Sequence, residues 1–220
     1  MRGGPATLAG MMSDRGAFVP SGPEDLLRAR VKVELRKRMR GLRKTLPASA
    51  CAARSARIVE RLTHLAPVAG ARAVALFWPM EDRHEVDLRA LDARLRDRAV
   101  RVAYPCLDPE THAMTFRFVS NPGAMQEMGF GFREPASNDV EAAADELDVV
   151  VVPALAVDPR GHRVGYGGGH YDRTLPRFAP PAASIAVAFD FQLVPETPRT
   201  EGDVSVGWVV TDAREMECGG

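Results

Sequence analysis

The sequence predicts a single α/β domain, a three-layer sandwich whose central sheet is mixed but mostly parallel. Two observations favour this fold class. The run Val149-Val150-Val151-Val152 is typical of a strand buried on both faces, as in a sheet that helices cover on either side. Segments with strand character also alternate with helical segments along the chain, which is the order of an α/β fold. A chain of 220 residues is long enough for one such domain with a substantial core.

The first predicted element is an amphipathic helix over residues 24–44. Its apolar residues recur every three or four positions, and we expect them to form the buried stripe: Leu27, Val31, Leu35, Met39 and Leu42. The basic residues of the segment are expected on its other faces: Arg28, Arg30, Lys32, Arg36, Lys37, Arg38, Arg40, Arg43 and Lys44.

The remaining elements are predicted to alternate between helices and strands, with Pro79 and Pro105 ending the first two strands. In chain order they are a helix at 49–65, a strand at 71–78, a helix at 86–98, strands at 100–104, 114–119 and 149–152, a helix from near 170, and strands at 184–189 and 206–211. The α/β domain is thus predicted to span residues 23–215. Residues 1–22 are rich in Gly, Pro, Ser and Ala, and we expect them to be disordered.

Composition excludes several classes of partner. Lys+Arg and Asp+Glu both total 29, so no net charge attracts nucleic acid or an anionic membrane surface. Cys51, Cys106 and Cys218 are widely spaced, which indicates reduced thiols in a cytoplasmic protein rather than a disulfide framework or zinc site. No apolar run approaches the ~20 residues of a membrane-spanning helix. We therefore expect a cytoplasmic, monomeric protein that acts on small molecules.

A glycine-rich segment, Gly165-Tyr166-Gly167-Gly168-Gly169, follows the valine strand and is predicted to bind phosphate. Glycines allow successive backbone N–H groups to approach an anion, and the helix predicted to follow adds its positive N-terminal end. Arg163 supplies a forked cation for phosphate oxygens, and Asp172 a hard oxygen ligand for Mg²⁺. The alternative is a flexible surface loop whose charges have no common function.

Two familiar phosphate-binding motifs differ from this loop. A Walker A loop requires Gly-Lys-Ser/Thr after its glycines, and this segment has none. In a dinucleotide fingerprint Gly165 and Gly167 would be the first two glycines, but His170 stands in the third position and residues 159–164 replace the required tight turn. Asp190 follows at about the distance of a ribose-binding acid, so a nicotinamide-dependent oxidoreductase stays open as the alternative function.

The segment from Pro153 to Asp172 resembles the 5-formyltetrahydrofolate cyclo-ligase (5,10-methenyltetrahydrofolate synthetase) family. That family has a Pro-x-x-x-x-Asp strand followed by an Arg-hydrophobic-Gly-x-Gly-x-Gly-Tyr-Tyr-Asp loop; here the strand is Pro153 to Asp158 and the loop runs from Arg163. Shorter matches occur in the family's order: Lys32-x-x-Leu35-Arg36, Glu85-Val86-Asp87, Glu134-Pro135, Gln192 and Asp203. The sequence departs from the family at His170, where a tyrosine is usual, and residues 1–22 have no counterpart in its core.

The resemblance implies an enzyme that converts 5-formyltetrahydrofolate and ATP, with Mg²⁺, into 5,10-methenyltetrahydrofolate, ADP and phosphate. The γ-phosphoryl group would activate the formyl oxygen, and N10 of the folate would then attack the activated carbon. Catalysis of this kind depends on positioning and on charge neutralisation.

The resemblance also implies roles for individual residues. ATP would be bound by Lys32, Arg36, Arg163, Gly165, Gly167, Gly168, Gly169 and Tyr171, of which Arg163 and Tyr171 would be catalytic. The folate would be bound by Glu85, Gly165, Tyr166, Gly167, Gly168 and Gly169, and Mg²⁺ by Asp172 and Asp203. From the residues alone, a solvated basic face is the better account of Lys32 and Arg36. For Glu85 a helix N-terminal acid fits equally well, and for Asp203 the sequence indicates only a turn.

Overall fold

The structure is a computed structural model, and it describes residues 22–108, 110–111, 113–127 and 132–219. Its α-helices are α1 (Pro23–Lys44), α2 (Ala48–His64), α3 (Ala66–Ala69), α4 (Arg89–Asp97) and α5 (His170–Phe178). Its strands are β1 (Ala73–Ala75), β2 (Arg101–Leu107), β3 (Met114–Phe118), β4 (Gln126–Glu127), β5 (Arg133–Glu134), β6 (Val149–Pro153), β7 (Ala156–Val157), β8 (Arg163–Val164), β9 (Ala183–Val187), β10 (Trp208–Val210) and β11 (Glu215–Glu217). The predicted disorder of residues 1–22 falls, apart from Gly22, outside the described residues.

Seven strands form the central sheet, in the order β11-β10-β9-β6-β1-β2-β3. The five inner strands pair in parallel, from β10 through β9, β6 and β1 to β2. The two edge strands, β3 and β11, pair antiparallel with their neighbours. The predicted mixed, mostly parallel sheet is therefore confirmed.

Both faces of this sheet are buried, as the valine run predicts. Val149 and Val151 face one apolar cluster, which α2 and α4 close with Ile58, Leu62, Leu91 and Leu95. Val150 and Val152 face the opposite cluster, which α5 closes with Leu175 and Phe178. Complete burial of an aliphatic side chain stabilises the fold by about 1.5–3 kcal/mol. Because alternate residues of β6 pack into opposite clusters, this strand contacts the helices of both outer layers.

The direction in which the chain crosses the sheet reverses between β1 and β6. The chain proceeds from β1 to β2 on one side and from β6 to β9 on the other, although β1 and β6 are hydrogen-bonded neighbours. In open α/β sheets, ligands bind in the crevice at such a reversal, outside the carboxyl ends of the strands. The segments that follow β1 and β6 are therefore the expected walls of a site.

The buried stripe predicted for the first helix is confirmed at Met39, and in part at Leu35, but it is wrong at Leu27, Val31 and Leu42. Leu27 and Val31 are 63% and 45% exposed, whereas Lys32, Met39 and Arg43 are the buried residues of α1. These three share one face because they lie seven and four positions apart. The helix does not pack across a face of the central sheet: Met39 and the partly buried Leu35 pack on the small two-stranded sheet β7–β8, and the other buried residues of the helix, Lys32 and Arg43, are basic. The helix borders a polar crevice rather than the core.

Other boundaries differ from prediction where tertiary context overrides local sequence. Strand β2 continues through Pro105 to Leu107, because β1 pairs with it only as far as Ala103 and a missing N–H is tolerated beyond that point. The predicted strand at 71–78 is regular only over Ala73–Ala75. The short elements α3, β4, β5, β7, β8 and β11 were not predicted. Among the described residues, no helix is both long and apolar enough to cross a bilayer.

Candidate active site

Helix α1 brings two of the predicted ATP-binding residues to the crevice. Pro23 starts the helix, acids occupy its first turn and Arg43 and Lys44 its last, an arrangement that favours the helix dipole. Lys32 and Arg36 are four residues apart, so they project from the same face. That face is turned inward, which excludes the solvated basic face as an account of these two residues.

Lys32 is 7% exposed and reaches across the crevice to a turn near the carboxyl end of the chain. Its Nζ donates to Asp203 Oδ1 at 2.7 Å and to Thr200 Oγ1 at 2.7 Å. Asp203 also accepts from the backbone N–H of Thr200 at 2.7 Å, which fixes the carboxylate within its own turn. The turn that the sequence suggests at Asp203 is present, and it delivers a carboxylate to the predicted site.

Arg36 contacts the glycine-rich loop directly. Its Nε donates to the carbonyl oxygen of Gly165 at 2.9 Å, and its guanidinium lies 3.7 Å from where a Cβ on Gly167 would be. Burial lowers the pKa of Arg36, as does the neighbouring positive charge of Arg40. The guanidinium nevertheless remains charged at neutral pH, because an arginine pKa lies far above that range. A cation therefore lies beside the loop.

The loop from Gly165 to Gly169 joins β8 to α5 in a conformation that requires glycine. Gly167 has φ +112° and Gly169 has φ +65°, both in the region that side chains with a Cβ adopt only under strain. Gly169 is the N-terminal cap of α5, so the first N–H groups of a nine-residue helix are directed towards the loop. Backbone donors and a helix N-terminus together make a site suited to an anion.

Arg163 and Asp172, predicted to bind phosphate and Mg²⁺, form an ion pair with each other. Arg163 Nη2 lies 2.9 Å from Asp172 Oδ1, and its Nη1 donates to the carbonyl oxygen of Val204. The backbone N–H of Val204 donates to the same Asp172 oxygen at 3.2 Å. Because Val204 follows Asp203, these contacts bring the two predicted metal ligands to one end of the crevice.

These carboxylates fit a Mg²⁺ ion that arrives with a nucleotide. Mg²⁺ is usually held by one or two carboxylates together with substrate phosphates and waters, rather than by an all-protein cage. In the described part of the chain no group of three or more His, Cys, Asp or Glu residues could hold a metal by itself. Asp172 meets Arg163 and Val204 through Oδ1 alone, so neither of these contacts uses Oδ2. Both oxygens of Asp203 contact Lys32 Nζ, so Asp203 could join a metal ion only if this contact were loosened.

On the opposite wall, Glu85 is buried with one oxygen unpaired. It follows β1, is 5% exposed, and its Oε2 accepts from the backbone N–H of Met80 at 2.9 Å. Its Oε1 has no hydrogen-bond partner among the described residues, and the nearest cation, Arg43 Nη1, is 4.0 Å away. Burial raises the pKa of Glu85, and the Arg43 charge opposes this rise. An unpaired buried oxygen next to a crevice is a strong acceptor for a ligand N–H.

Arg43 is the site residue that sequence reasoning missed. It was expected on an exposed face of the helix, but it is 2% exposed and donates to the Tyr166 hydroxyl at 2.8 Å. It also contacts Gln192, a residue that the family resemblance singled out. The spacing of Lys32, Arg36 and Arg43 by four and seven would have revealed a single basic stripe.

Comparison with known proteins identifies the family of the chain. The family model described as "5-formyltetrahydrofolate cyclo-ligase family" matches residues 28–212. The chain belongs to this family. The predicted family and enzyme class are thereby confirmed, and the match covers every residue assigned to the site.

Named relatives of the chain come from several bacteria. It is 31% identical over 160 residues to the 5-formyltetrahydrofolate cyclo-ligase of Escherichia coli strain K12, covering 71% of this chain and 87% of the relative. It is 45% identical over 94 residues to that of Mycolicibacterium smegmatis, covering 42% of this chain and 48% of the relative. The latter match therefore spans about half of the relative.

Solved structures of related proteins have the same fold. The NMR structure of Aquifex aeolicus 5,10-methenyltetrahydrofolate synthetase superposes with a TM-score of 0.74 at 28% identity, covering 86% of this chain and 93% of that one. A 5,10-methenyltetrahydrofolate synthetase from Mycoplasma pneumoniae superposes with a TM-score of 0.66 at 20% identity, covering 82% and 98%. The second likeness supports the fold alone.

The loop also differs from a dinucleotide-binding turn. Strands β7 and β8 form a two-stranded antiparallel sheet between β6 and the glycines, where a dinucleotide fingerprint requires a tight turn directly after the strand. Together with the family assignment, this geometry gives the nicotinamide alternative no support.

The residues after the glycines occupy the first turn of α5. A Cβ on Gly168 would lie 2.6 Å from His170 Nε2, so the His170 ring lies directly against the loop. Tyr171 packs against Phe116 with 6.5 Å between ring centroids, and burial raises its pKa, with a further rise from the Glu85 charge. A neutral phenol can donate but not act as a base at neutral pH.

Proposed function

We propose that this chain catalyses the ATP- and Mg²⁺-dependent cyclisation of 5-formyltetrahydrofolate to 5,10-methenyltetrahydrofolate, with release of ADP and phosphate. The observation that carries the proposal is the convergence of Lys32, Arg36 and the glycine-rich loop beside an unpaired buried carboxylate, Glu85. A phosphate-binding wall and an acceptor for ligand N–H groups thus flank one crevice, at the reversal point of the sheet. Membership of the cyclo-ligase family supports the same reaction.

The nucleotide is proposed to bind along the wall formed by α1 and the loop. Two cations of α1 and Arg163 stand against the carboxylates Asp172 and Asp203, so the cluster retains one net positive charge. The loop N–H groups and the N-terminal end of α5 add to this attraction. Phosphates entering here would take over Lys32 and Arg36, which now bond to Asp203 and a backbone carbonyl.

Arg163 and Tyr171 are proposed as the catalytic residues, and the loop glycines with Tyr166 as contacts of both substrates. Arg163 is buried and rigidly paired, so its charge would stabilise a phosphoryl group in transfer without needing to reorganise. The Tyr171 phenol stays protonated and would serve as a donor. Glu85 would accept N–H donors of the folate through Oε1.

The chemistry divides into two steps. In the first, the formyl oxygen of the folate attacks the γ-phosphorus, a new O–P bond forms and ADP leaves. In the second, N10 attacks the formyl carbon, the carbon–oxygen bond breaks, N10 loses its proton, and the oxygen departs with phosphate. Positioning and charge neutralisation are the contributions that such phosphoryl transfer requires.

Asp172 and Asp203 are proposed to hold Mg²⁺ when it arrives with ATP. The ion would neutralise phosphate charge during transfer. Both carboxylates are fixed by backbone donors, Val204 N–H for Asp172 and Thr200 N–H for Asp203, so they are oriented before a ligand binds.

The proposal is tested by incubating the purified protein with MgATP and 5-formyltetrahydrofolate. We expect methenyltetrahydrofolate and ADP to appear in equal amounts, with neither formed when ATP or Mg²⁺ is omitted. Folded protein that forms neither product contradicts the proposal. Nicotinamide oxidation or reduction under the same conditions would instead favour an oxidoreductase.

Lys32→Met tests the nucleotide wall, and Arg38→Gln is its matched control on an exposed face of the same helix. Loss of a charge-assisted contact of about 1.5–3 kcal/mol predicts that the KM for ATP rises about 10- to 150-fold in Lys32→Met. Arg38→Gln should leave it unchanged. Asp172→Asn should raise the Mg²⁺ concentration needed for half-maximal rate; undiminished turnover at limiting Mg²⁺ would remove Asp172 from metal binding.

We also expect a cytoplasmic, monomeric protein. A solution mass of about 23.9 kDa by light scattering would bear out the monomer, and twice that mass would overturn it.

A further inference from the structure

Arg43 is a buried guanidinium that joins four separate segments of the fold. It lies in the last turn of α1, and its Nη2 donates to the carbonyl oxygen of Ala154 at 2.9 Å. Its Nε lies 3.3 Å from Gln192 Oε1, and its Nη1 donates to the Tyr166 hydroxyl at 2.8 Å. The same Nη1 lies 4.0 Å from Glu85 Oε1. A single side chain of α1 thus contacts four other segments: the end of β6, the segment after β9, the glycine-rich loop and the segment after β1.

Packing alone is a poor account of this residue. Burying an arginine charge is unfavourable because the charge loses its hydration. Ion pairs and hydrogen bonds offset this loss only when their geometry is good. Arg43 is 2% exposed, yet its carboxylate partner is beyond hydrogen-bond distance. An apolar side chain would avoid this cost, but it would remove the donor to the Tyr166 hydroxyl and the only cation that the described residues place within 4.0 Å of Glu85. The position of the charge between Tyr166 and Glu85 is therefore the feature that needs an explanation.

The hydrogen bonding of the Glu85 carboxylate leaves one of its oxygens available to a ligand. Its Oε2 accepts from Met80 N–H, while Oε1 is buried and has no partner at hydrogen-bond distance in the described part of the chain. Burial raises the pKa of the carboxyl group, and the nearby Tyr166 hydroxyl opposes this rise. At 4.0 Å, Arg43 attracts Oε1 electrostatically without occupying it. The oxygen remains an acceptor for N–H groups that a bound molecule brings.

Tyr166 belongs to the glycine-rich loop, so its hydroxyl contact with Arg43 also fixes that loop. Arg36, two helical turns earlier, holds the carbonyl of the preceding residue, Gly165. Successive loop residues are thus held by two arginines of the same helix. Arg36 meets the loop on the side proposed for nucleotide, and Arg43 on the side of Glu85.

We propose that Arg43 is a positioning residue that holds the Tyr166 hydroxyl and the Glu85 carboxylate in place for the formylated folate, while Arg36 holds the same loop for ATP. This inference rests on the proposed function, because it names which substrate each arginine serves. Arg43 itself touches neither substrate: it acts through Tyr166 and Glu85.

The first test separates the two substrates kinetically. In Arg43→Gln, loss of a charged hydrogen bond of about 1.5–3 kcal/mol predicts that the KM for 5-formyltetrahydrofolate rises about 10- to 150-fold. The KM for ATP should change less than about twofold, because the Arg36 contact is intact. Arg43→Lys keeps the charge but not the fork, so it should recover part of the loss. Equal changes in both KM values, or none, would overturn the proposal.

Tyr166→Phe repeats the test without removing a buried charge. It deletes the hydroxyl that Arg43 contacts at 2.8 Å and leaves the ring in place beside Arg83. We expect the folate KM to rise and the ATP KM to stay unchanged, as in Arg43→Gln. Arg38→Gln, exposed on the same helix, is the control for a general loss of basic charge and should behave like the wild type.

A pH profile tests the link to Glu85. The groups that face this carboxylate are Arg43 from α1, Arg83 from its own segment, Tyr166 from the loop and Tyr171 from α5. Removing the Arg43 charge should move the acidic limb of kcat/KM for folate to higher pH, since a nearby cation favours the ionised carboxylate. Glu85→Gln should abolish that limb, and adding Arg43→Gln to it should cause no further shift. An unmoved limb in the single Arg43 variant would contradict the proposal.

A measurement without turnover separates this inference from the proposed reaction. The free energies of unfolding of Arg43→Gln, Tyr166→Phe and the double variant form a cycle, and residues in direct contact should give non-additive effects. Additive effects would refute the positioning of Tyr166 whatever the reaction. If the effects are non-additive but no product forms, both the cyclo-ligase reaction and the assignment of Arg43 to folate are wrong. Only the contact between Arg43 and Tyr166 would then stand.

Discussion

Replacing Gly167 with alanine isolates the conformational requirement of the glycine-rich loop. Gly167 has φ +112°, and the nearest atoms to an added methyl group belong to Arg36 at 3.7 Å or more. The methyl group therefore causes no clash, and the cost comes from the backbone dihedral alone. A non-glycine residue held in such a region costs on the order of 1–3 kcal/mol.

The exposure of the loop tip decides whether this cost lowers the stability of the free enzyme or its affinity for ATP. Gly167 and Gly168 are exposed, so the free enzyme can relax the loop at little expense to its core. Binding ATP would require the glycine conformation again. We therefore expect the dissociation constant for ATP to rise about 5- to 150-fold, the equivalent of about 1–3 kcal/mol, with a much smaller change in the midpoint of thermal unfolding.

Gly165→Ala is the matched control. Gly165 has no φ in the glycine-only region, and a Cβ there meets nothing within 4 Å. It should bind ATP as the wild type does, measured by isothermal calorimetry with the Mg²⁺ concentration held fixed. The reasoning is refuted if Gly167→Ala binds ATP normally, or if Gly165→Ala is the more damaging change.

Three further predictions concern stability and pH. Met39→Ala should lower the free energy of unfolding by about 2–5 kcal/mol because the side chain is buried. Leu27→Ala, at 63% exposure, should change it by less than about 0.5 kcal/mol. Equal denaturation midpoints of the two variants would contradict the position of α1. Gly161→Ala should cost about 2–4 kcal/mol in the same assay, since its φ is +81° and a Cβ would overlap the carbonyl oxygen of Val206; a wild-type midpoint would show that the turn relaxes freely. Burial raises the pKa of Cys218 to about 11, so its alkylation, followed by mass spectrometry of peptides, should be slow at pH 8 and accelerate only towards pH 11; rapid labelling of folded protein at pH 8 would refute its burial.

The sheet was predictable because its signal is local and strong. Four adjacent valines favour apolar surroundings on both faces, which a strand in a sheet covered by helices supplies. The two- and three-residue strands carry no such signal. They form because a neighbouring strand offers backbone partners, as Ala156 and Val157 find in the strand that begins at Arg163.

Helix α1 shows why hydrophobic periodicity can choose the wrong face. Its leucines and valines recur at helical spacing, yet the side that docks carries Lys32 and Arg43. Periodicity assumes that the partner surface is apolar. Here the partner is a crevice rich in carboxylates and carbonyl oxygens, so the basic stripe is the one that finds compensation. At a binding site, the buried face of a helix can therefore be its polar face.

The loop glycines, Arg163 and Asp172 were placed together correctly, because sequence neighbours cannot be far apart. The pairing of Arg163 with Asp172 could not be foreseen, since each had been assigned to a ligand rather than to the other. Arg43 was missed for a related reason. Its hydrogen-bond partners Ala154, Tyr166 and Gln192 lie more than 100 residues away along the chain, and only the fold brings them near.

The contact between Lys32 and Asp203 has a consequence for synthesis of the protein. The two residues are 171 positions apart, and the strands β10 and β11 follow Asp203. Domains made on the ribosome begin to fold from their N-terminal part, but this pair cannot close until the turn around Asp203 has emerged. A nascent chain that stops short of this turn would keep helix α1 without its acidic partner. We expect emergence of the Asp203 turn, and not completion of the valine strand, to be the moment at which nucleotide binding first becomes possible.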